Sequence, residues 1–414
     1  MNNTKKNFLW NVVGSTFNSF TSLFFMIIVT RIYGGTIAGI FTFAFSFASL
    51  MQVVGNYAGR SYHVTEIDNN IKDSDFLYSK IITCLFMILL SVIYILFRGY
   101  SFYKVQVMLL LIFFRMIEVI AEVFYGIIQK KLMLYQVGIS LFVKGVLAVL
   151  IFLIINYFTH NLLLAIVGIA LVNLIMLFFY DRKNAFCVGF RFEKIRMSVI
   201  KMIFIGGFFV FGFTFLTQYV INASKYAIDG VLSDKYQTIY GILAMPATLM
   251  LLCSSFIIQP FLVPLTDCLK KNKIKDFIFL VFKLCVAVLV FGIMAIGASY
   301  FLGIPVLEFI YGISLKSYRT SLLLVVLGGT LFGMAYIIST SLIAMRKNFI
   351  QLVIYLIVSV VSFFLSTWLV KTNGIFGASL SYCSTMGLLL IMYIIYFVFC
   401  VSRFNTRKLC LGKD

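Results

Sequence analysis

The sequence predicts an all-α integral membrane protein of twelve transmembrane helices. Twelve apolar stretches of spanning length run from Phe8 to Cys400, with charges collected mostly between them. About 20 apolar residues in helical form cross a ~30 Å hydrocarbon core. The composition agrees: 62% hydrophobic and 12% charged residues, with a mean hydropathy of +1.05 over 414 residues. Helix is the forced conformation, because backbone groups inside lipid must find partners within their own segment.

In chain order the spans fall at 8–30, 36–58, 78–97, 105–128, 136–157 and 161–180, then at 203–224, 236–264, 277–300, 320–343, 348–370 and 375–400. The first stretch is long and lacks a small-residue cleavage site, as expected of a retained helix rather than a signal peptide. With the N-terminus in the cytoplasm, most of the 34 Lys/Arg fall inside, including Lys5, Lys6, Lys130, Lys131, Lys270, Lys271, Arg346, Lys347 and Lys413. Only Arg31, Arg98, Lys104, Lys225, Lys235, Lys316, Arg319 and Lys371 fall outside, and Arg115, Lys144 and Lys283 lie within spans. This bias predicts that both termini face the cytoplasm.

The longest basic connection, 181–202, separates six spans at 1–180 from six at 203–400, and a basic tail follows at 401–414. With Phe186, Phe190 and Phe192 among its Lys/Arg, the connection is expected to lie on the inner membrane surface near lipid phosphates. The halves also rhyme. TRIYGGTIAGIFTFA at 30–44 and KYAIDGVLSDKYQTIYGILA at 225–244 each place a basic residue at a helix end, then a glycine-bearing turn, then an aromatic-led helix. Parallel six-helix repeats are a transporter plan. Pro246, Pro260 and Pro264 all fall in the eighth span, where proline permits bending. Gly329-x-x-x-Gly333 in the tenth suits helix packing or dimerisation.

Several function classes drop away. The net charge of +20 sits on the cytoplasmic rim, so anionic membrane lipids, not nucleic acid, are the expected partner. The eight cysteines form no CxxC pair and avoid the external loops, which argues against a disulfide framework. The two histidines, His63 and His160, are far apart, so no metal centre or other cofactor is expected. No loop is large enough for a nucleotide-binding fold or an extracellular catalytic domain.

Charges inside spans are the informative residues, since each costs ~2.5–3.5 kcal/mol on insertion and usually faces a cavity or a partner. Span four carries Arg115, Glu118 and Glu122 in FRMIEVIAEVFYG, spaced three and four apart on one helical stripe. Lys144 in span five matches Glu122 in depth, so a Glu122–Lys144 contact is expected. These charges either lock helices together or form the polar wall of an aqueous cavity, where the carboxylates could also bind a coupling ion. Arg31 and Lys225 occupy corresponding helix ends, Lys283 lies about seven residues into span nine, and Arg60 closes span two as a possible inner gate.

Two segments, NVVGSTFNSFTSLFFMIIVTRIYGGTIAGIFTFA at 11–44 and EVFYGIIQKKLMLYQVGISLFVKGV at 122–146, resemble the Wzx-type polysaccharide flippases. These belong to the superfamily that also holds the MATE drug exporters and the peptidoglycan-precursor flippases. Arg31, Glu122 and Lys144 match its basic and acidic positions, while Val123 stands where relatives commonly carry tryptophan. The resemblance implies two six-helix bundles in a pseudo-twofold V within the bacterial cell membrane. It implies flipping of undecaprenyl-diphosphate-linked oligosaccharides by alternating access, coupled to H+ or Na+, alongside polysaccharide-assembly proteins. On that basis Arg31, Arg115, Lys144, Lys225 and Lys283 line a cationic route, and Glu118 and Glu122 tune it. A cation-coupled drug exporter of the same fold is the nearest rival, expected to carry a carboxylate within span one or seven. A membrane polysaccharide polymerase or acyltransferase, or a passive scaffold, is a more distant one.

Overall fold

A computed structural model describes residues 3–65, 71–271, 273–345 and 348–411. Arg346, Lys347 and Lys413 of the expected inner set lie outside these residues. The described residues form helices and contain no strand. In order they are α1 (Asn3–Tyr33), α2 (Gly35–Asn56), α3 (Gly59–Thr65), α4 (Asp73–Arg98), α5 (Phe102–Lys130), α6 (Leu134–Thr159), α7 (Leu162–Met176), α8 (Lys183–Cys187), α9 (Met197–Val231), α10 (Asp234–Ile258), α11 (Leu262–Lys270), α12 (Ile274–Ala298), α13 (Ile304–Tyr311), α14 (Arg319–Ala344) and α15 (Asn348–Leu411).

Ten segments among the described residues are long and apolar enough to cross a membrane, the last being Phe349–Ser402. That last one is two spans, because Gly374 (φ 55, ψ −129) breaks α15, at the point where the sequence separates spans eleven and twelve. α5, 29 residues long, is the remaining span; Arg115, Glu118 and Glu122 lower its apolarity. The chain is thus a polytopic membrane protein with the twelve helical segments expected. Large apolar side chains such as Leu85, Phe86, Leu96 and Phe97 of α4 stand exposed, a surface suited to acyl chains. Many buried hydroxyls return their protons to the preceding turn, as Thr42 does to Ala38 O and Ser91 to Met87 O.

The helices form two compact units, Met1–Gln218 and Tyr219–Asp414. The division falls within α9, whose first part packs on the first unit: the Tyr57 hydroxyl donates to Phe204 O at 2.9 Å, and its ring stacks on Phe211. In that unit α1 and α6 meet backbone to backbone at Gly14 and Gly138. A Cβ on Gly138 would stand 2.2 Å from Trp10 O. In the second unit, Gly329 packs on Ala247 and Gly333 on Ser254, so the Gly-x-x-x-Gly pattern joins α14 to α10 within the chain. Pro246 lies inside α10, and Pro260 sits in the 3₁₀ turn that ends it.

Two boundaries differ from the sequence reading. α7 continues through a π-helical turn, Leu177–Arg182, into α8, so Asp181 is fully buried rather than the first residue of a surface connection. α9 runs on to Val231, which puts Lys225 and Asp229 on one helix a turn apart instead of leaving Asp229 in an external turn.

Candidate functional site

A polar seam lies between α2 and α5 in the first unit. The three-and-four spacing of α5 turns Arg115, Glu118 and Glu122 to one side, over about 10 Å of helix. α2 supplies Ser49 and Gln52, three apart, to the same seam. Arg115 Nη1 donates to Glu118 Oε2 at 2.6 Å and Nη2 to Ser49 Oγ at 3.0 Å. Gln52 Nε2 donates to the same Glu118 oxygen at 3.1 Å. The guanidinium also lies 4.4 Å from the centroid of the Phe45 ring, a favourable cation–π position. Its Nε finds no hydrogen-bond acceptor among the described residues. The Arg115 and Glu118 side chains keep 14% and 20% of their surface exposed.

Nearer the end of α5, Arg60 on α3 pairs with Glu122 (Nε–Oε2 3.5 Å) and lies over the Tyr125 ring. Lys80 donates to Asn56 O and lies within electrostatic reach of Glu122. α3 is pinned again by His63, whose Nε2 lies 2.9 Å from Asp73 Oδ1, the oxygen that also takes Lys130 Nζ at 3.0 Å. His63 stacks on Phe76 and packs over Gly126, where any Cβ would strike the imidazole. Arg60 is therefore part of a braced corner of charges.

Lys144 is placed differently from the expectation. It does not pair with Glu122: its Nζ donates to Asp181 Oδ2 at 2.5 Å and to the Tyr125 hydroxyl at 2.7 Å. Ser140 Oγ donates to Asp181 Oδ1 at 2.6 Å and lies 3.1 Å from the Tyr125 hydroxyl. Lys144 and Asp181 expose 6% and 0% of their side chains, so the group closes on itself in the middle of α5, α6 and the π turn. Lys144 reaches α5 within a turn of Glu122, at Tyr125, but orientation separates Lys144 from Glu122. Tyr125 is three residues beyond Glu122, a turn of roughly 60° around α5, and that turn directs Glu122 to Arg60 and Tyr125 to Lys144.

Of the remaining expected residues, Arg31 is exposed in the last turn of α1. Lys225 is half-buried on α9 and Lys283 exposed on α12, both in the second unit. The sequence reading passed over Ser49, Gln52, Tyr125, Ser140 and Asp181. Ser49 and Gln52 carried a signal, since they repeat the helical spacing of the charges on the adjacent span. Asp181 carried less, because an unbroken helix would have ended before it.

No family model matches the chain. A capsular polysaccharide biosynthesis protein, CapF of Staphylococcus aureus, is 23% identical over 403 residues, covering 95% of this chain and 98% of that protein. Among solved structures, an inward-facing MATE-family multidrug resistance transporter of the MOP superfamily superposes with a TM-score of 0.70 at 12% identity, covering 96% of this chain and 99% of the transporter. The lipid II flippase MurJ superposes with a TM-score of 0.69 at 16% identity, over 95% of this chain and 87% of MurJ. The chain therefore has the fold of the MOP-superfamily exporters and flippases, and along nearly its whole length it is similar in sequence to a capsular polysaccharide biosynthesis protein.

Proposed function

We propose that this protein flips an undecaprenyl-diphosphate-linked oligosaccharide from the cytoplasmic to the outer leaflet of a bacterial cell membrane, with both termini cytoplasmic. The observation that carries the reading is the half-open Arg115 cluster in a chain similar end to end to a capsular polysaccharide biosynthesis protein. A diphosphate needs a cationic, polar path, while the polyprenyl tail can stay in lipid. Arg115 suits the first demand: it is anchored by Glu118 and Ser49 yet keeps part of its side chain exposed, and guanidinium forks suit phosphate oxygens. Arg31, Lys225 and Lys283 are the further cations of the route. Glu118 and Glu122 set the charge of the seam and are the groups through which H+ or Na+ would couple. Lys144, closed in with Asp181, holds the bundle together.

The test is accumulation of substrate in cells lacking the protein. Single lipid-linked repeat units collect on the cytoplasmic face, wild-type protein restores surface polysaccharide, and Arg115→Ala at equal abundance does not. Full export by that variant overturns the assignment of Arg115. Unpolymerised units displayed outside would identify a polymerase defect instead. The shared fold with a MATE drug transporter favours a second reading, cation-coupled export of small molecules; efflux of a fluorescent cation by purified protein in liposomes would establish it.

A further inference from the structure

At the end of α7 the chain builds a cationic recess unconnected with the α2–α5 seam. An open hollow of about 450 Å³ is lined by Phe178, Arg182, Lys183, Phe186 and Cys187. Arg182 sits in a fan of rings, 5.3 Å from the Phe186 centroid, 5.9 Å from Phe192 and 6.0 Å from Phe178. Arg182 and Lys183 are both exposed, and among the described residues no carboxylate pairs with either. The fan is held in shape from behind. Gly189, at φ 104, turns the chain back after α8; Phe190 is buried edge-on to Phe124 of α5 and touches both Phe186 and Phe192.

The π turn is what aims this cation. Its wider turn sends Asp181 inward to Lys144 and leaves its neighbour Arg182 on the outer surface; such bulges often mark functional positions. Arg182 also ends a lipid-facing stripe. Leu164, Leu171, Ile175 and Phe178 stand exposed at helical spacing along α7. From Leu171 to Arg182 is eleven residues, about 16 Å of helix, close to one leaflet of a ~30 Å hydrocarbon core.

We infer that this recess binds an anionic phospholipid, its phosphate on Arg182 and Lys183 and an acyl chain along the α7 stripe. Charge complementarity and continuity with the apolar stripe select a lipid over a soluble anion. The site is separate from the cargo route, so it stands or falls independently of the flippase reading. Native mass spectrometry of the full-length protein, exchanged between phosphatidylglycerol and phosphatidylcholine, tests it. Wild-type protein retains phosphatidylglycerol selectively, and Arg182→Ala/Lys183→Ala lowers that retention by roughly thirtyfold, the combined effect of two interfacial cations. Lys270→Ala/Lys271→Ala, a basic pair elsewhere, is the control and leaves retention near wild type. Unchanged retention in a folded Arg182/Lys183 variant overturns the site, as does equal loss in the control, which would mean diffuse attraction to basic surface. Competition by free pyrophosphate as effective as that by phosphatidylglycerol would overturn the lipid in favour of a soluble anion.

Discussion

Replacing Lys144 alone by methionine should damage the protein more than replacing it together with Asp181. The wild-type pair lies at 2.5 Å with 6% and 0% exposure, and Tyr125 and Ser140 take up the remaining hydrogen-bonding capacity. Lys144→Met leaves the Asp181 carboxylate with the Ser140 hydroxyl as its remaining side-chain partner, in a site from which water is excluded. Asp181→Leu strands the ammonium in the same way. Breaking one side of a buried pair costs about 3–5 kcal/mol, whereas replacing both members by apolar groups of similar volume is often close to neutral. For a unit of this size each kcal/mol moves the melting temperature by roughly 2–4 °C, so either single variant should melt about 6–20 °C lower. Lys144→Met/Asp181→Leu should recover most of that loss. The assay is thermal unfolding of purified protein in detergent, with membrane abundance as the cellular counterpart. Two results would refute the reasoning: a Lys144→Met protein of wild-type stability that has lost export, which would make Lys144 a cargo contact, or a double variant carrying the sum of both losses.

Two further predictions concern the scaffold. Gly138→Ala should destabilise by about 1–3 kcal/mol, because its new methyl meets the Trp10 carbonyl, which is backbone and cannot rotate away; Gly297→Ala on α12, with nothing near its new methyl, should be neutral or slightly stabilising, and both are read by thermal unfolding. Arg196→Ala should lower the melting temperature more than Glu193→Ala does, because Arg196 pairs with the fully buried Asp75 while Glu193 pairs with Lys72 between two half-exposed side chains.

The parts of the molecule legible in sequence are those governed by one helix at a time. Span positions follow from apolar length. The glycine-bearing turn after α1 follows from backbone that enters positive φ at Gly34, and the gap between spans eleven and twelve falls where Gly374 does the same. The common face of Arg115 and Glu118 follows from a three-residue step. What sequence did not yield depends on two helices at once, or on a local departure from 3.6 residues per turn. Depth fixes the height of Lys144 in the membrane but not its rotation about the helix axis, so it does not name its partner. Nothing in LFFYDRK announces a π turn, and it is in that turn that Asp181 is buried. The seam partners Ser49 and Gln52 fall between these cases: their spacing was visible, but the pairing of α2 with α5 was not.

Sealed and half-open charges in one bundle answer different needs, and a paired substitution separates them. If Arg115 and Glu118 acted only as a brace, Arg115→Met/Glu118→Met would behave like the double variant at Lys144 and Asp181, stable and active. The geometry argues otherwise. Of the two side chains 14% and 20% stay exposed, and a brace gains nothing from that exposure. Replacing both members of a mostly buried pair by apolar groups of similar volume is often close to neutral. The paired substitution should therefore leave the melting temperature within a few degrees of wild type while abolishing surface polysaccharide, and Arg115→Lys, which keeps the charge but not the fork, should restore export in part. Measuring both quantities on the same membranes makes the outcome decisive. Retained export with Arg115→Met/Glu118→Met would remove the seam from the transport path and leave it a second helix lock.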